Sequence, residues 1–475
     1  MKRLIENKEI FITILIFIII FSIRLICISN SPAEAGDVWR QPDTESIARN
    51  FVQHRFNIFY PQFNYDGPLP NYIQLELQLT TFIIAILYKI FGYNYAIARL
   101  VPIGFFMISV FYLYLLTKKY FSQQAAWLTI FVYSALPITL FYSRAIMPES
   151  AALCFFIGAF YYFTEWIDHE KNYLIIIAGV FTALAISQKV PAVFMGLAML
   201  ALALVKYKSR IFFKWQLWLF AIISLVPPVA YYKWMEKVAE FKFVTGIAQK
   251  HVLPKFLHSF LTPEAWAFFQ INMVESFTKY LLITSIIGFL ILIKRKEKPI
   301  LFWAIAMVLE VVLIVSVIKF NYYLIFLSPI IALLTGAVFD SLLRNIFPGI
   351  IVSLIFVVFV FNLSFNQTRP LFKEDTNSIE FAKFIDQNTK QEDLLILGDI
   401  SPTVLSLSDR QGWRTYEFTP ENMESKMYSF INHGAKYFVV NKNYIYNDDG
   451  RYLRYLDNNF EKIDFGNGYK FYVLK

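Results

Sequence analysis

The residues that could do chemistry concentrate in one stretch, residues 36–51, a few positions after the first long apolar run. The stretch reads GDVWRQPDTESIARNF, and it sets acidic and basic side chains around one tryptophan: Asp37, Trp39, Arg40, Asp43, Glu45 and Arg49. A carboxylate can act as a general base toward a hydroxyl group. Arginine and lysine can hold a phosphate, arginine through a planar fork and lysine as a point charge. A site that combines both suits group transfer with a lipid phosphate as the leaving group.

Other polar residues lie further along the first loop or at the ends of later apolar runs. They are Asp66, Glu76, Arg144, Glu149, Lys189, Lys319, Tyr322 and Tyr323. Charged groups at membrane depth are costly and usually face a cavity or a partner. Each residue taken singly also has a structural interpretation, as a snorkelling or capping side chain. For Glu149, which follows Pro148 at a predicted helix start, that interpretation is a charge favoured by the helix dipole.

The composition is that of a polytopic membrane protein. Of 475 residues, 57% are hydrophobic, 19% aromatic and 17% charged, whereas soluble domains carry about 25% charged residues. The net charge of +9 does not indicate nucleic-acid binding, because the basic residues cluster in short loops between apolar runs, as cytoplasmic loops do. Cys27 and Cys154 both lie in apolar runs and predict no disulfide framework. The sequence has no GxxxxGK[ST] motif and only scattered histidines, which argues against ATP-driven and zinc chemistry.

The elements that must position these residues are transmembrane helices, because several apolar runs reach the ~20 residues that a span requires. About 11 spans are predicted: 9–29, 99–117, 122–142, 149–167, 172–188, 190–206, 212–233, 278–294, 299–318, 321–341 and 346–365. Lys2, Arg3 and Lys8 place the N-terminus in the cytoplasm. If the ambiguous segment 76–92 does not span, every later basic cluster also falls on the cytoplasmic side. We therefore expect 76–92 to form an interfacial helix within a long first external loop, residues 30–98.

The chain divides near residue 367, where the composition becomes that of a soluble protein. Residues 1–366 are predicted to form the membrane domain, and residues 367–475 a small α/β domain on the extracytoplasmic side. The expected elements of the tail are helices at 376–388, 420–433 and 449–459, strands at 394–399 and 436–442, and a terminal hairpin turning at Gly-Asn-Gly. Segment 236–275 is expected to form short interfacial helices, or else a plain connecting loop.

Several of these segments together resemble a bacterial member of glycosyltransferase family 39, the polytopic GT-C transferases related to protein O-mannosyltransferases and aminoarabinose transferases. They are WRQPDTESIARNF, FGYNYAIARLVP, YSRAIMPESAAL, QKVPA and KFNYYLIFLSPIIALL. The resemblance covers roughly residues 1–365. It implies an enzyme of the cell membrane that transfers a sugar from a polyprenyl-phosphate carrier to a lipid, glycan or protein acceptor on the extracytoplasmic side, with inversion at the anomeric carbon.

The resemblance also implies roles for individual residues. The first-loop aspartate acts as the base; Asp43 takes that role because it lies in the WRQxDT motif, and Asp37 is the second choice. Donor-phosphate contacts fall to Arg40, Arg49, Lys189, Lys319 and Tyr322, and acceptor-side contacts to Asp66, Glu76, Arg144 and Glu149. Asp43-Thr44 replaces the Asp-Glu pair of better-known branches, so no metal ligand is assigned and a divalent cation stays open as a cofactor.

Two interpretations from other classes stay open on the sequence. A transporter or flippase of lipid-linked sugars would also present polar groups to the membrane, but such proteins often show repeated halves and charges near the midplane. The chain shows no repeat, and its polar set lies at one predicted face. A non-catalytic assembly partner for envelope glycans is the other alternative.

Overall fold

A computed structural model describes residues 2–345, 348–415, 419, 421–440, 450–464 and 470–474. Most of these residues are helical. The α-helices are Lys2–Arg24, Arg40–Gln53, Leu79–Phe91, Tyr95–Tyr120, Gln123–Ala135, Pro137–Tyr142, Glu149–His169, Asn172–Gln188, Met195–Tyr207, Trp215–Val238, Phe243–Ile247, Pro263–Phe277, Lys279–Arg295, Lys298–Glu310, Ser316–Ile318, Leu327–Asn345, Gly349–Thr368, Thr376–Asn388, Thr403–Leu407, Met423–Asn432 and Arg451–Asn459. Short 3₁₀ or π turns extend several of them: Val190–Phe194, Lys208–Phe213, Ala248–Val252, Ser259–Leu261, Val311–Val315, Asn321–Phe326 and Arg369–Phe372.

Seven helices in the described part of the chain are long and apolar enough to cross a membrane. They are Tyr95–Tyr120, Glu149–His169, Val190–Phe213, Trp215–Val238, Lys298–Ile318, Asn321–Arg344 and Gly349–Phe372. An eighth results if Pro263–Phe277 and Lys279–Arg295, which meet at a 90° bend, form one span. The predicted span 122–142 is broken at Leu136, because Pro137 begins a new helix there. The membrane-helical class is thus confirmed, while the count of about 11 spans stays a prediction.

The first loop contains two helices that pack against each other, Arg40–Gln53 and Leu79–Phe91. The second has 13 residues and is therefore about 20 Å long, short of the roughly 30 Å hydrocarbon core that a span must cross. This length supports the interpretation of segment 76–92 as an interfacial helix. Segment 236–275 contains short helical pieces, among them Phe243–Ile247 and Ser259–Leu261, followed by the longer Pro263–Phe277.

The strands form two sheets. Strands β1 (Ile73–Gln74) and β2 (Phe241–Lys242) pair in parallel and tie the first loop to segment 236–275. The other five are β3 (Leu394–Gly398), β4 (Gln411–Arg414), β5 (Ala435–Val440), β6 (Glu461–Asp464) and β7 (Lys470–Val473). They form one mixed sheet in the order β4-β3-β5-β7-β6, in which β3 is parallel to β4 and β5, and β7 is antiparallel to β5 and β6.

The predicted strands and helices of the tail recur in the structure, with two additions. Helix Thr403–Leu407 and strand β4 are absent from the prediction, because one has five residues and the other, QGWR, has neither alternation nor β-branched residues. The predicted Gly-Asn-Gly turn lies outside the described residues. The last helix long enough to cross a membrane runs to Thr368 and is followed by the turn Arg369–Phe372. The domain boundary at residue 366 stays a prediction.

The C-terminal sheet shares a hydrophobic core with the first loop. Buried side chains of the loop pack in one cluster with buried side chains of the tail: Ile47, Phe51, Phe63 and Ile84 with Phe381, Leu397, Leu405 and Val439. Backbone hydrogen bonds reinforce the contact, including Ala35 N to Lys373 O at 2.8 Å, Asp375 N to Ala33 O at 2.8 Å and Gly67 N to Gly412 O at 3.0 Å. The C-terminal tail therefore packs against the first loop through both side-chain and backbone contacts.

Candidate active site

Helix Arg40–Gln53 begins at a carboxylate. Asp37 Oδ1 accepts hydrogen bonds from the backbone N–H groups of Trp39 at 3.1 Å and Arg40 at 2.7 Å. A carboxylate there satisfies donors that a helix start leaves unpaired. Asp37, the second choice for the base, therefore has a structural role that uses one of its oxygens. Arg40, the first residue of the helix, and Asp43 are three residues apart and therefore project from one face of the helix.

Asp43 is buried and held by three donors from three different segments. Its Oδ2 accepts a hydrogen bond from Trp39 Nε1 at 2.9 Å and another from the Tyr65 hydroxyl at 3.1 Å. Its Oδ1 accepts from Ser406 Oγ at 3.0 Å. Such donors fix the orientation of the carboxylate, as a group that must abstract a proton from a bound substrate requires.

Burial raises the pKa of Asp43 to about 7, although the hydrogen bonds from Ser406 and Tyr65 and the charges of Arg40 and Arg414 favour the carboxylate. Burial and the neighbouring Asp43 raise the pKa of Tyr65 as well, so its hydroxyl keeps its proton and remains a donor. A general base works best when its pKa lies near the working pH. Asp43 meets that condition.

Arg40 belongs to an ion-pair network formed by residues from four segments. Arg40 Nη2 lies 3.4 Å from Glu76 Oε1, and Lys189 Nζ lies 3.4 Å from the same oxygen. Lys189 Nζ also lies 2.8 Å from Glu149 Oε1 and 4.8 Å from the centroid of the Tyr322 ring, in a cation–π contact. Burial raises the pKa of Glu76, but Arg40 and Lys189 outweigh it and lower the pKa to about 2. Glu76 therefore remains a carboxylate that orients both cations.

Two cavities meet at this network. The first, the carboxylate cavity, has a volume of about 480 Å³ and is lined by Asp37, Trp39, Asp43, Tyr65, Gln188 and Asn321, among others. The second, the cationic cavity, has a volume of about 490 Å³ and combines Lys189, Lys255 and Lys319 with the apolar side chains of Val190, Phe194, Val244, Ile314 and Val317. Arg40, Glu76 and Tyr322 line both cavities. The shared rim therefore places Arg40 and Glu76 between a cavity that contains Asp43 and a cavity that has lysines and an apolar lining.

Four residues that the sequence assigns to the site line neither cavity. Arg49 pairs with Glu45 Oε2 at 2.9 Å and with Asp409 Oδ1 at 3.1 Å, and it also donates to the Ser406 carbonyl. Asp66 is bound by Arg414 through two contacts of 3.0 and 2.5 Å. Neither residue lines the two cavities. Both instead tie the first loop to the C-terminal sheet.

Arg144 is the third of these residues, and Glu149 is the fourth. The two Nη atoms of Arg144 bind Glu34 at 2.8 and 2.9 Å, and Arg99 Nη2 contacts the same carboxylate at 3.1 Å. All three side chains are buried. Arg144 also donates to the carbonyls of Ile26 and Cys27. Its N–H groups therefore bind other groups of the protein. Glu149 lies behind Lys189 and orients it, whereas Lys319 and Tyr322 do line the cationic cavity.

Sequence reasoning missed the contribution of the C-terminal domain. Ser406 contacts Asp43 directly, and the Arg414 guanidinium lies over the rings of Tyr65 at 4.3 Å and Trp39 at 5.3 Å. No local signal marks a single serine in a five-residue helix. The sequence likewise carries no signal for the pairing of Asp66 with Arg414, since the two residues are 348 positions apart.

Among the described residues, no group of three or more His, Cys, Asp or Glu side chains is arranged to hold a metal ion. The oxygens of Asp43 accept from Trp39, Tyr65 and Ser406, which leaves the carboxylate poorly arranged as a metal ligand.

Part of the chain is similar to a known protein family. Residues 78–234 match the family model described as dolichyl-phosphate-mannose-protein mannosyltransferase. No curated protein sequence matches the chain.

Solved structures share the fold. The crystal structure of ArnT from Cupriavidus metallidurans in the apo state matches with a TM-score of 0.67 and 12% identity over 97% of both chains. The same protein bound to undecaprenyl phosphate matches with a TM-score of 0.66 and 11% identity, again over 97% of both. An oligosaccharyltransferase from Archaeoglobus fulgidus, solved with zinc and sulfate, matches with a TM-score of 0.57 and 15% identity over 90% of this chain and 67% of that chain. The resemblance to the GT-C glycosyltransferases is thereby confirmed.

Proposed function

We propose, from the premise that this chain shares the GT-C fold, that it is an inverting glycosyltransferase that uses a polyprenyl-phosphate sugar as donor. The observation that carries the proposal is the pair of cavities joined at Arg40, Glu76 and Tyr322. One cavity offers a buried carboxylate and aromatic walls for a sugar, and the other offers cations beside an apolar channel. The structural match to ArnT bound to undecaprenyl phosphate supports a polyprenyl-phosphate donor of this type.

The donor phosphate is assigned to the rim of the cationic cavity. Arg40 Nε is buried and has no hydrogen-bond partner among the described residues, so it can bind a phosphate oxygen. Lys319 and Lys189 line the same cavity. During transfer, the phosphate changes from a diester with one negative charge to a monoester that carries more charge, and cations fixed beforehand stabilise that change. The apolar residues at 190–194 and 314–318 would contact the prenyl chain.

The acceptor is assigned to the carboxylate cavity. The Asp43 carboxylate removes the proton of an acceptor hydroxyl, the hydroxyl oxygen attacks the anomeric carbon, and the bond from that carbon to the phosphate oxygen breaks. Because a single displacement of this kind enters opposite the leaving phosphate, the configuration at the anomeric carbon inverts. We assign Asp37 to holding the helix start and to the cavity wall, since its Oδ1 is occupied by two backbone donors.

Replacing Arg40 by glutamine is expected to weaken binding of undecaprenyl phosphate roughly 10–100-fold, because a charge-assisted hydrogen bond contributes about 1.5–3 kcal/mol. Lys319→Gln is expected to act in the same direction. Native mass spectrometry or a tritiated-lipid binding assay on the purified protein measures the dissociation constant.

The matched control for this prediction is Arg55→Gln. Arg55 belongs to the same loop but is exposed, and it stacks on Tyr60 away from both cavities. Its substitution should leave binding unchanged. Equal losses in Arg40→Gln and Arg55→Gln would contradict the phosphate assignment.

We further propose that the site opens on the extracytoplasmic side of the cell membrane, with the N-terminus in the cytoplasm, because of the distribution of basic clusters. A cysteine at Asn94 is then expected to react with an impermeant thiol reagent in intact cells, while Ser209→Cys is expected to be protected. Both positions are exposed, and both variants require the background Cys27→Ser, because Cys27 is itself exposed. Loss of the Asn94 cap costs about 1 kcal/mol, which a 26-residue helix tolerates. The reverse labelling pattern would overturn the proposed orientation.

A further inference from the structure

Ser406 brings the C-terminal domain into contact with the candidate base. Its hydroxyl is fully buried and donates to Asp43 Oδ1 at 3.0 Å, across 363 positions of sequence. The helix that carries it, Thr403–Leu407, is held in place from both sides: the Thr403 hydroxyl donates to the Val38 carbonyl, and Arg49 donates to the carbonyl of Ser406 itself. Leu405 belongs to the core shared with the first loop. The contact with Asp43 therefore has a rigid support.

The C-terminal domain also contacts the two residues that donate to the other carboxylate oxygen of Asp43. Trp39 and Tyr65 donate to Oδ2, and the Arg414 guanidinium lies over both rings. Arg414 is itself fixed by two contacts to Asp66. A planar guanidinium stacked on two aromatic rings restricts the orientation of both. The C-terminal domain thus acts on both oxygens of Asp43, directly through Ser406 and indirectly through Arg414.

We infer that Ser406 is a positioning residue of the transfer reaction: it orients the Asp43 carboxylate and favours its charged form, so that the C-terminal domain completes the active site. This inference rests on the proposed function, in which Asp43 is the base.

The effect of Ser406 on the protonation of Asp43 can be separated from the effects of the charged groups around Asp43. Arg40 faces it from the same helix, Tyr65 from the loop that follows, and Arg414 from strand β4, with Asp66 balancing Arg414. Ser406 is the neutral donor among these groups that reaches Oδ1. A hydrogen bond to the charged form of a carboxyl group favours that form. Burial raises the pKa of Asp43 and the Ser406 hydroxyl opposes that rise, so removing the hydroxyl must raise the pKa further.

The test is an infrared pH titration of the full-length protein in nanodiscs, following the protonated-carboxyl band that Asp43→Asn eliminates. Ser406→Ala is expected to move the midpoint of that band from about 7 upward by roughly one to two pH units, because the lost bond is a charge-assisted one. Ser406→Thr retains a hydroxyl and is expected to stay near the parent value. Transfer at pH 7 in membranes that contain the cells' own donor is expected to fall roughly 5-fold or more in Ser406→Ala and to recover at higher pH.

The matched control is Ser408→Ala. Ser408 is also buried and lies two positions away, but its hydroxyl donates to the Leu405 carbonyl. It should leave both the midpoint and the transfer profile unchanged. An unchanged midpoint in Ser406→Ala, or an equal shift in Ser408→Ala, would overturn the inference. If instead Asp43→Asn retains transfer while Ser406→Ala still shifts the midpoint, Asp43 is not the base. The effect of Ser406 on the protonation of Asp43 would still hold.

Discussion

Asp43→Asn is expected to abolish detectable transfer, with a loss of roughly 10²–10⁴-fold, the usual contribution of a positioned general base. The amide retains an oxygen that can accept from Trp39, Tyr65 or Ser406, so the fold should survive, but it cannot take a proton from an acceptor hydroxyl at neutral pH. Mass spectrometry of envelope lipids and glycans from cells that produce the variant or the parent protein measures the product.

The same experiment distinguishes Asp43 from Asp37. Asn is also a favourable residue at a helix start, so Asp37→Asn should preserve the hydrogen bonds to Trp39 and Arg40 and retain most of the activity. Loss of product in Asp37→Asn with product retained in Asp43→Asn would transfer the base role to Asp37. Retention in both variants would favour a transporter or an assembly partner, since neither needs a base at this position.

The pH dependence of the parent enzyme follows from the same group. Burial raises the pKa of Asp43 to about 7, and the base acts as the carboxylate. Transfer should therefore be low below that pH, rise through it, and level off above. Glu76, whose pKa lies near 2, stays ionised across this range and should contribute no step to the profile.

Glu34→Gln is expected to lower the free energy of unfolding by roughly 3–5 kcal/mol, the typical cost of removing one partner from a buried ion pair. Arg144 and Arg99 both direct guanidinium nitrogens at the Glu34 carboxylate, within 2.8–3.1 Å. All three side chains are at most 1% exposed. The substitution leaves two buried cations without a compensating charge. Chemical denaturation in detergent micelles, followed by circular dichroism, measures the change.

Two further variants check the cause of that loss. Glu374→Gln alters a partly exposed carboxylate of the same region, which accepts from the Ser31 backbone N–H, and should cost about 1 kcal/mol. Arg99→Gln in the Glu34→Gln background removes one of the unpaired cations, so the double variant should lose less than the sum of the single losses. Strict additivity would show that the three residues do not act as one cluster.

Sequence reasoning succeeded where residues close in the chain determine the arrangement. The WRQxDT spacing places Arg40 and Asp43 on one helical face. The structure brings Arg40, Glu76 and Tyr322 to the rim between the cavities and pairs Lys189 with Glu76 in the cationic cavity. The polytopic helical class likewise follows from the apolar runs. The specific role of each of these residues stays a proposal.

The sequence does not predict the partner of a charged residue when that partner is distant in the chain. Arg144 and Arg49 stand at polar junctions as the site residues do, but Glu34 and Asp409 take up their hydrogen-bonding capacity. Neither carboxylate carries a local signal that identifies its partner. Charge type and position along the chain predict that such an arginine will be paired, and the Glu45–Arg49 spacing of four predicts one such pair. The pairings with Glu34 and Asp409 depend on tertiary packing.

The contact between Ser406 and Asp43 has a consequence for biosynthesis. A ribosome that has just translated Asp43 must add 363 residues before the serine that completes the carboxylate's surroundings exists. At about 5–20 residues per second this takes on the order of 20–70 s. On the proposed function, the nascent chain carries Asp43 during that interval without the serine that orients it, so full activity is acquired only when the tail docks. A chain that terminates before Ser406 is therefore expected to transfer the sugar at a reduced rate.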